Sequence, residues 1–314
     1  IGTDGWGINK YDSNGELIRQ YLPGENPSDL SDDAILCALN DSHGNLWFGT
    51  YAGGLNLYDR AKDGFIHFRA KPGVEGELQS NDIRCIHEST DGVLWLGTNG
   101  SGLARMDKNG SFTHITPQCN GVASYDIRAI AEDSSGRLWL GTYGSGLFSY
   151  HVESGVCKHF PHERNLLGGL KCNIIYTLLF DESSNALWIG GSQSGGLNRM
   201  DLSQDSIRLY DHRNGLDNNN IHGIEKDRKN RIWVSTNTGI SYLDPVSETF
   251  INFNHLDGVQ DKEFSNGSSI LNGQGDIMFF GGSGGLNYFY PDRISVSEKV
   301  TPIVISRLQI YDQP

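Results

Sequence analysis

Seven times along this chain a short apolar run ends in a pair of small residues: Gly2-Thr3, Gly49-Thr50, Gly97-Thr98, Gly141-Thr142, Gly190-Gly191, Ser235-Thr236 and Gly281-Gly282. The pairs stand 47, 48, 44, 49, 45 and 46 residues apart, so the chain is an internal repeat. The inner copies share one formula, visible in DSHGNLWFGTYAGGLNLYD and EDSSGRLWLGTYGSGLFSYH. A period of this length, made of short strands separated by turn residues, is the pattern of propeller blades. Each copy reads as four strands; in one they are DIRCIHES, VLWLGT, GLARMD and SFTHIT. The joints Thr90-Asp91-Gly92, Asn99-Gly100-Ser101-Gly102 and Lys108-Asn109-Gly110 carry residues that tolerate tight turns. No segment keeps a 3.6-residue apolar period, which leaves helix nearly absent.

Aligning the copies on Trp47, Trp95, Trp139, Trp188 and Trp233, with one extra residue in the fourth, gives columns with physical meaning. Twelve places before each Trp stands Ile35, Ile83, Ile127, Ile175 or Ile221, and two places later a small residue: Cys37, Cys85, Ala129, Thr177 or Gly223. Large and small side chains at period two suit close packing of blade on blade. The Trp column is therefore expected in the core. Six copies begin with their first strand, while residues 1–22 supply only the later strands of another. The expectation is an all-β, seven-bladed β-propeller of four-stranded antiparallel blades over residues 1–296, with the first blade incomplete. Its missing strand is expected from upstream residues or from the C-terminal end. The chain starts inside a repeat without an initiator Met, as an excised piece would.

The net charge of -13 disfavours nucleic acid and anionic membranes as partners. No apolar run approaches the length of a membrane span, and no signal peptide is visible. The five cysteines, Cys37, Cys85, Cys119, Cys157 and Cys172, lack metal-ligand spacing. Cys37 and Cys85 fall in the small-residue column and read as packing thiols. A bridge between Cys157 and Cys172 is open in an oxidising compartment. No catalytic motif, phosphate loop or metal site is present, and no cofactor is expected. Asp41, Asp133, Asp181 and Asp227 recur at one repeat position as turn caps.

The LW-I/L/F-GT formula, followed by a Gly-rich turn and Gly-Leu, resembles the two-component regulator propeller repeat. The last copy, with Phe264, Asn266 and the FFGG-SGGLNYFYP run, resembles that family's closing blade. Residues 297–314, containing TPIVISRLQIYDQP, resemble the first strand of the immunoglobulin-like, three-tyrosine domain that follows such propellers. The resemblance implies a non-catalytic, ligand-sensing, periplasmic part of a membrane-bound sensor of the Bacteroidetes type, with a histidine kinase output. It also implies an upstream propeller, a downstream immunoglobulin-like domain, a homodimer, and an oligosaccharide as ligand.

A propeller offers a ligand the face where the second-to-third-strand loops and the blade-to-blade loops emerge together. The first loop type places Tyr51, Asn99, Tyr143, Gln193 and Asn237 there. Eleven places before the Trp, between the Ile and small columns, the residue varies: Leu36, Arg84, Arg128, Tyr176, His222 and, in the last copy, Gly267. Such variation points to work other than packing, near the channel rim. Arg84 and Arg128 suggest an acidic ligand, unless each simply pairs with Asp82 or Asp126. Two other readings compete. The D-x-x-G-x-L-W turns also resemble the Asp boxes of sialidase-type propellers, and a glycoside hydrolase or lyase would draw on loop acids such as Glu163, Asp217 and Asp261. A pure protein-binding platform would show no small-molecule affinity.

Overall fold

The computed structural model describes residues 1–163, 168–192 and 195–295, which form a propeller of antiparallel sheets arranged in sequence order. Blade one comprises Ile35–Asn40, Leu46–Thr50, Leu55–Asp59 and Gly64–Phe68. Blade two comprises Ile83–Glu88, Leu94–Thr98, Leu103–Met106 and Phe112–Ile115, and blade three Ile127–Glu132, Arg137–Thr142, Leu147–His151 and Cys157–Phe160. Blades four (Ile175–Asp181, Ala186–Gly191, Leu197–Asp201, Ser206–Tyr210) and five (Ile221–Lys226, Ile232–Thr236, Ile240–Leu243, Phe250–Phe253) repeat the order. Blade six has three strands: Phe264–Leu271, Met278–Gly282 and Gly285–Phe289.

Among the described residues six blades, not seven, are therefore formed. The N-terminal residues expected to give a short additional blade make only a two-stranded hairpin, Ile8–Tyr11 with Leu17–Tyr21. The reason is pairing: Gly2 reaches only an isolated bridge to Ile8, and no strand among the described residues adds to the hairpin's inner side. The hairpin packs on blade one, where Ile8 and Tyr21 join Leu30, Ile35, Phe48 and Phe65. At the other end, the row Ile270, Phe279 and Tyr288 runs across blade six where earlier blades carry their Trp row. Ile270 and Tyr288 remain 61% and 66% exposed. Residues 297–314, read above as the start of another domain, lie outside the described residues.

The apolar core is divided among the joints between blades. Trp47, Trp95, Trp139, Trp188 and Trp233 are all buried, each in the cluster that joins its blade to the next. The Ile and Gly columns explain each other. A methyl added at Gly141 would stand 2.5 Å from Ile175 Cγ2, and one at Gly190 equally close to Ile221 Cγ2. Each strand-two glycine thus receives the first-strand isoleucine of the following blade. The threonine after it closes the next turn: Thr50, Thr98 and Thr142 donate to the carbonyls of Gly54, Gly102 and Gly146.

The recurring aspartate does more than cap a turn. Asp41, Asp133 and Asp227 each accept the indole N–H of the Trp six residues on, at 2.9, 2.9 and 2.8 Å. Burial pushes the Asp41 and Asp133 carboxyls up, but these bonds and the turn N–H and hydroxyl groups outweigh it and hold both below the usual range. Blade two substitutes Ser89, whose hydroxyl takes the Trp95 N–H at 3.2 Å. In blade four the extra residue winds the turn into the 3-10 segment Glu182–Ser184. Asp181 then binds Ser183 and Ser184, and the Trp188 N–H has no partner among the described residues.

Polar latches tie blade to blade. The Glu88 carboxylate accepts from the N–H and hydroxyl of Ser42 in blade one, and Glu132 from those of Thr90 in blade two. Between blades four and five the polarity is reversed: Lys226 donates to Asp181 and to Ser183. One disulfide forms, between Cys119 and Cys157 rather than Cys157 and Cys172. A small hairpin, Gln118–Cys119 with Val122–Ala123, carries Cys119 to the outer strand of blade three. Cys172 is instead a buried thiol contacted by Asn198. Cys37 and Cys85 keep their packing role, and burial pushes the Cys85 thiol up to about 12.

Candidate functional site

The two loop types meet on one face through backbone bonds: Tyr51 N–H to Ala34 C=O, Asn99 to Asp82, Gly100 to Tyr125, Tyr143 to Asp126 and Gly144 to Asn173. On that face the variable column acquires a structural cause. In every four-stranded blade the pairing of strand one with strand two shifts between the Ile and the small residue. The residue skipped is Leu36, Arg84, Arg128, Tyr176 or His222. A bulge releases its residue from the ladder and re-aims its side chain, so these positions are free of the packing rule that fixes their neighbours.

Around blades one to three the bulge arginines build two similar groups. Arg84 Nη2 donates to Asp82 Oδ2 at 2.6 Å, its guanidinium lies 5.4 Å from the Tyr51 ring centre, and Asn99 Nδ2 donates to the same Asp82 oxygen at 2.9 Å. Arg128 grips Asp126 with two bonds, Nε to Oδ1 at 2.6 Å and Nη2 to Oδ2 at 2.7 Å, and lies 4.7 Å from the Tyr143 ring centre. Both arginines thus pair with the aspartate two residues earlier. Tyr51 and Tyr143 remain about half exposed, as does Tyr125, a neighbour the sequence reading did not single out.

Blades four to six supply a third group. Tyr176 stacks on His222 with ring centres 6.2 Å apart and planes 12° from parallel. The His222 ring nitrogens contact Asn266 Oδ1 at 2.6 Å and Asn237 Oδ1 at 2.5 Å. Eight of the nine candidate residues therefore take part in these three groups. Gln193 lies outside the described residues. The loop acids Glu163, Asp217 and Asp261 sit on three separate blade-to-blade connections, and no described hydrogen bond or ion pair links one to another. Among the described residues no grouping of His, Cys, Asp and Glu suits a metal ion.

One titratable group escaped the sequence reading altogether. Glu225, on the first strand of blade five, faces blade six, where burial raises its carboxyl to about 7 against the opposing bonds from Ser269 and the Leu271 N–H. Its only sequence signal is a carboxylate in the column that elsewhere holds Leu39, His87, Ala131 and Leu179.

A family model described as two component regulator propeller matches residues 29–52, 77–100, 121–144 and 215–238. A segment of 100 residues, 32% of this chain, is 27% identical to Histidine kinase P4 of Formosa agariphila and spans 7% of that protein. The extracellular domain of the hybrid two component system BT3049 of B. thetaiotaomicron superposes with a TM-score of 0.79 over 99% of this chain at 26% identity. This chain corresponds to 42% of that structure. A second extracellular domain, from system BT4673 of the same organism, aligns over 92% of this chain and 38% of its own, with a TM-score of 0.69 and 22% identity, which speaks for the fold alone. The same holds for a virginiamycin B lyase from Staphylococcus aureus, at 16% identity and a TM-score of 0.57 over 83% of this chain and 85% of the lyase chain.

Proposed function

As a member of the two-component regulator propeller family, this chain is, we propose, the extracytoplasmic sensing propeller of a membrane-bound two-component regulator, with an oligosaccharide as its ligand. The observation that carries the reading is the rim itself. Bulges at one position of successive blades turn Arg84, Arg128, Tyr176 and His222 out of the ladder and beside exposed tyrosines and amides. Aromatic faces next to hydrogen-bonding side chains of fixed orientation suit a polyhydroxylated ligand. The Cys119–Cys157 disulfide agrees with a periplasmic location. Among the described residues no helix is long and apolar enough to cross a membrane. Anchoring, the immunoglobulin-like domain, dimer formation and the histidine kinase output belong to the longer polypeptide that the relatives suggest.

The test is direct. The chain is probed against an array of neutral and acidic glycans, and hits are titrated by calorimetry with the wild type and with Tyr51→Ala and Tyr143→Ala. Binding weakened at least tenfold by either substitution, with unchanged melting, supports the reading. An array without a hit removes the oligosaccharide from it, and turnover of any glycan would favour the hydrolase alternative.

A further inference from the structure

We infer that the ligand taken at this rim is an uncharged oligosaccharide and that acidic glycans are excluded, an inference that rests on the sensing role proposed above. Two arginines in an acidic protein suggest an anion site only while their charges are free. Here two guanidiniums face two carboxylates, Arg84 with Asp82 and Arg128 with Asp126, so the four charges cancel. Arg128 spends its Nε and Nη2 on Asp126, the same paired geometry with which it would grip a uronate or sulfate. An arriving anion would have to displace a carboxylate already seated there or lie against it. The balance at the rim is tipped further by Asp32, which accepts the Ala34 and Ala52 N–H groups and forms no ion pair among the described residues. The net charge of -13 adds repulsion of the same sign at longer range.

The groups left to a ligand are neutral. Tyr51, Tyr125 and Tyr143 expose 56%, 55% and 51% of their surface. Asn99, Asn237 and Asn266 add amides that both donate and accept. A sugar hydroxyl donates and accepts at once and suits such groups, whereas a carboxylate or sulfate only accepts and would meet Asp82 and Asp126 with like charge.

The experiment compares ligands of equal length and opposite character. Array hits are titrated at about 50 and about 300 mM salt beside hexagalacturonate as the acidic probe, because screening weakens contacts between exposed charges. Wild-type binding is expected to be confined to neutral glycans and to change less than twofold with salt. The Asp82→Asn, Asp126→Asn double variant, shown to melt as a folded protein, is expected to gain at least tenfold affinity for hexagalacturonate at the lower salt. Salt-sensitive wild-type binding of acidic glycans, lost in Arg128→Ala, would overturn the inference while leaving oligosaccharide sensing intact. A folded double variant that still ignores hexagalacturonate also overturns it, since the aspartates would then not be what excludes the anion. Absence of any array hit removes both this inference and the reading beneath it.

Discussion

The tryptophan column offers a comparison in which one bond varies while the packing stays alike. Trp139 and Trp188 occupy equivalent places in adjacent blades and are 0% and 5% exposed. Trp139 donates to the Asp133 carboxylate at 2.9 Å, whereas the Trp188 N–H has no partner among the described residues. Replacing either with Phe removes a similar ring volume, so the cavity contributions largely cancel in the difference. A hydrogen bond to a charged group contributes about 1.5 to 3 kcal/mol. Asp133 keeps Ser135 and Arg137 as donors, so its loss should fall toward the lower end of that range. At Trp188, removal of a buried unpaired donor returns part of its desolvation penalty, about 1 kcal/mol. Trp139→Phe should therefore be the more destabilising by about 2 to 3 kcal/mol, with Trp47→Phe and Trp233→Phe following it. Urea unfolding followed by circular dichroism gives the numbers from midpoint and slope. Equal losses at 139 and 188 would show that the Asp column caps its turns and nothing more.

Three further outcomes are expected. Cys119 and Cys157 close a loop of 38 residues, for which the chain-entropy account gives about 4 kcal/mol; a Cys119→Ser, Cys157→Ser protein should unfold at clearly lower urea, and an unchanged midpoint would mean the bridge does not constrain the unfolded chain. Glu225 has a folded value near 7, above its unfolded value, so its contribution is fully present at acid pH and is lost as pH rises through 7; Glu225→Gln should flatten the decline in urea midpoint between about pH 5 and pH 8, and parallel profiles would refute this. Asp181 is the opposite case: burial pushes its carboxyl up, but Lys226, Ser184 and Ser183 outweigh this and hold it at about 2. Its stabilisation is present above the ordinary carboxylate range and is lost as pH falls toward 2, so Lys226→Met should lower stability near neutrality by about 1 kcal/mol, after allowance for screening, and narrow the gap to wild type in acid.

The repeat, the four-stranded blade and the buried tryptophans were legible because each follows from a spacing that recurs five or more times. The blade count was not. Residues 8–21 have the apolar content of two blade strands, but a sheet is counted by its partners, and composition does not reveal that the inner side of Ile8–Tyr11 has none among the described residues. The variable column was legible as variation, and its aspartate partners two residues earlier were within reach. The bulge that creates it was hidden, because a one-residue slip between strands leaves no signature in either. The extra residue of the fourth repeat was visible as an insertion, while its effect, a turn that draws Asp181 away from Trp188, depends on the path the longer turn takes. The cysteine pairing turned on the small hairpin at Gln118–Ala123, too short to be read as strands.

The reversed latch between blades four and five bears on how such a chain can change by duplication. Similar repeats in a gene invite unequal recombination, which deletes or copies whole blades without breaking the reading frame. The joints would accept many such products, since Glu88 and Glu132 ask only for a Ser or Thr turn in the preceding blade. The longer turn of blade four instead presents the Asp181 carboxylate to the next blade, where Lys226 matches it. A blade bearing Glu at that position, spliced in after blade four, would set carboxylate against carboxylate. The sign of this joint thereby ties blade five to blade four, so the order of similar modules is guarded at that point by charge as well as by shape.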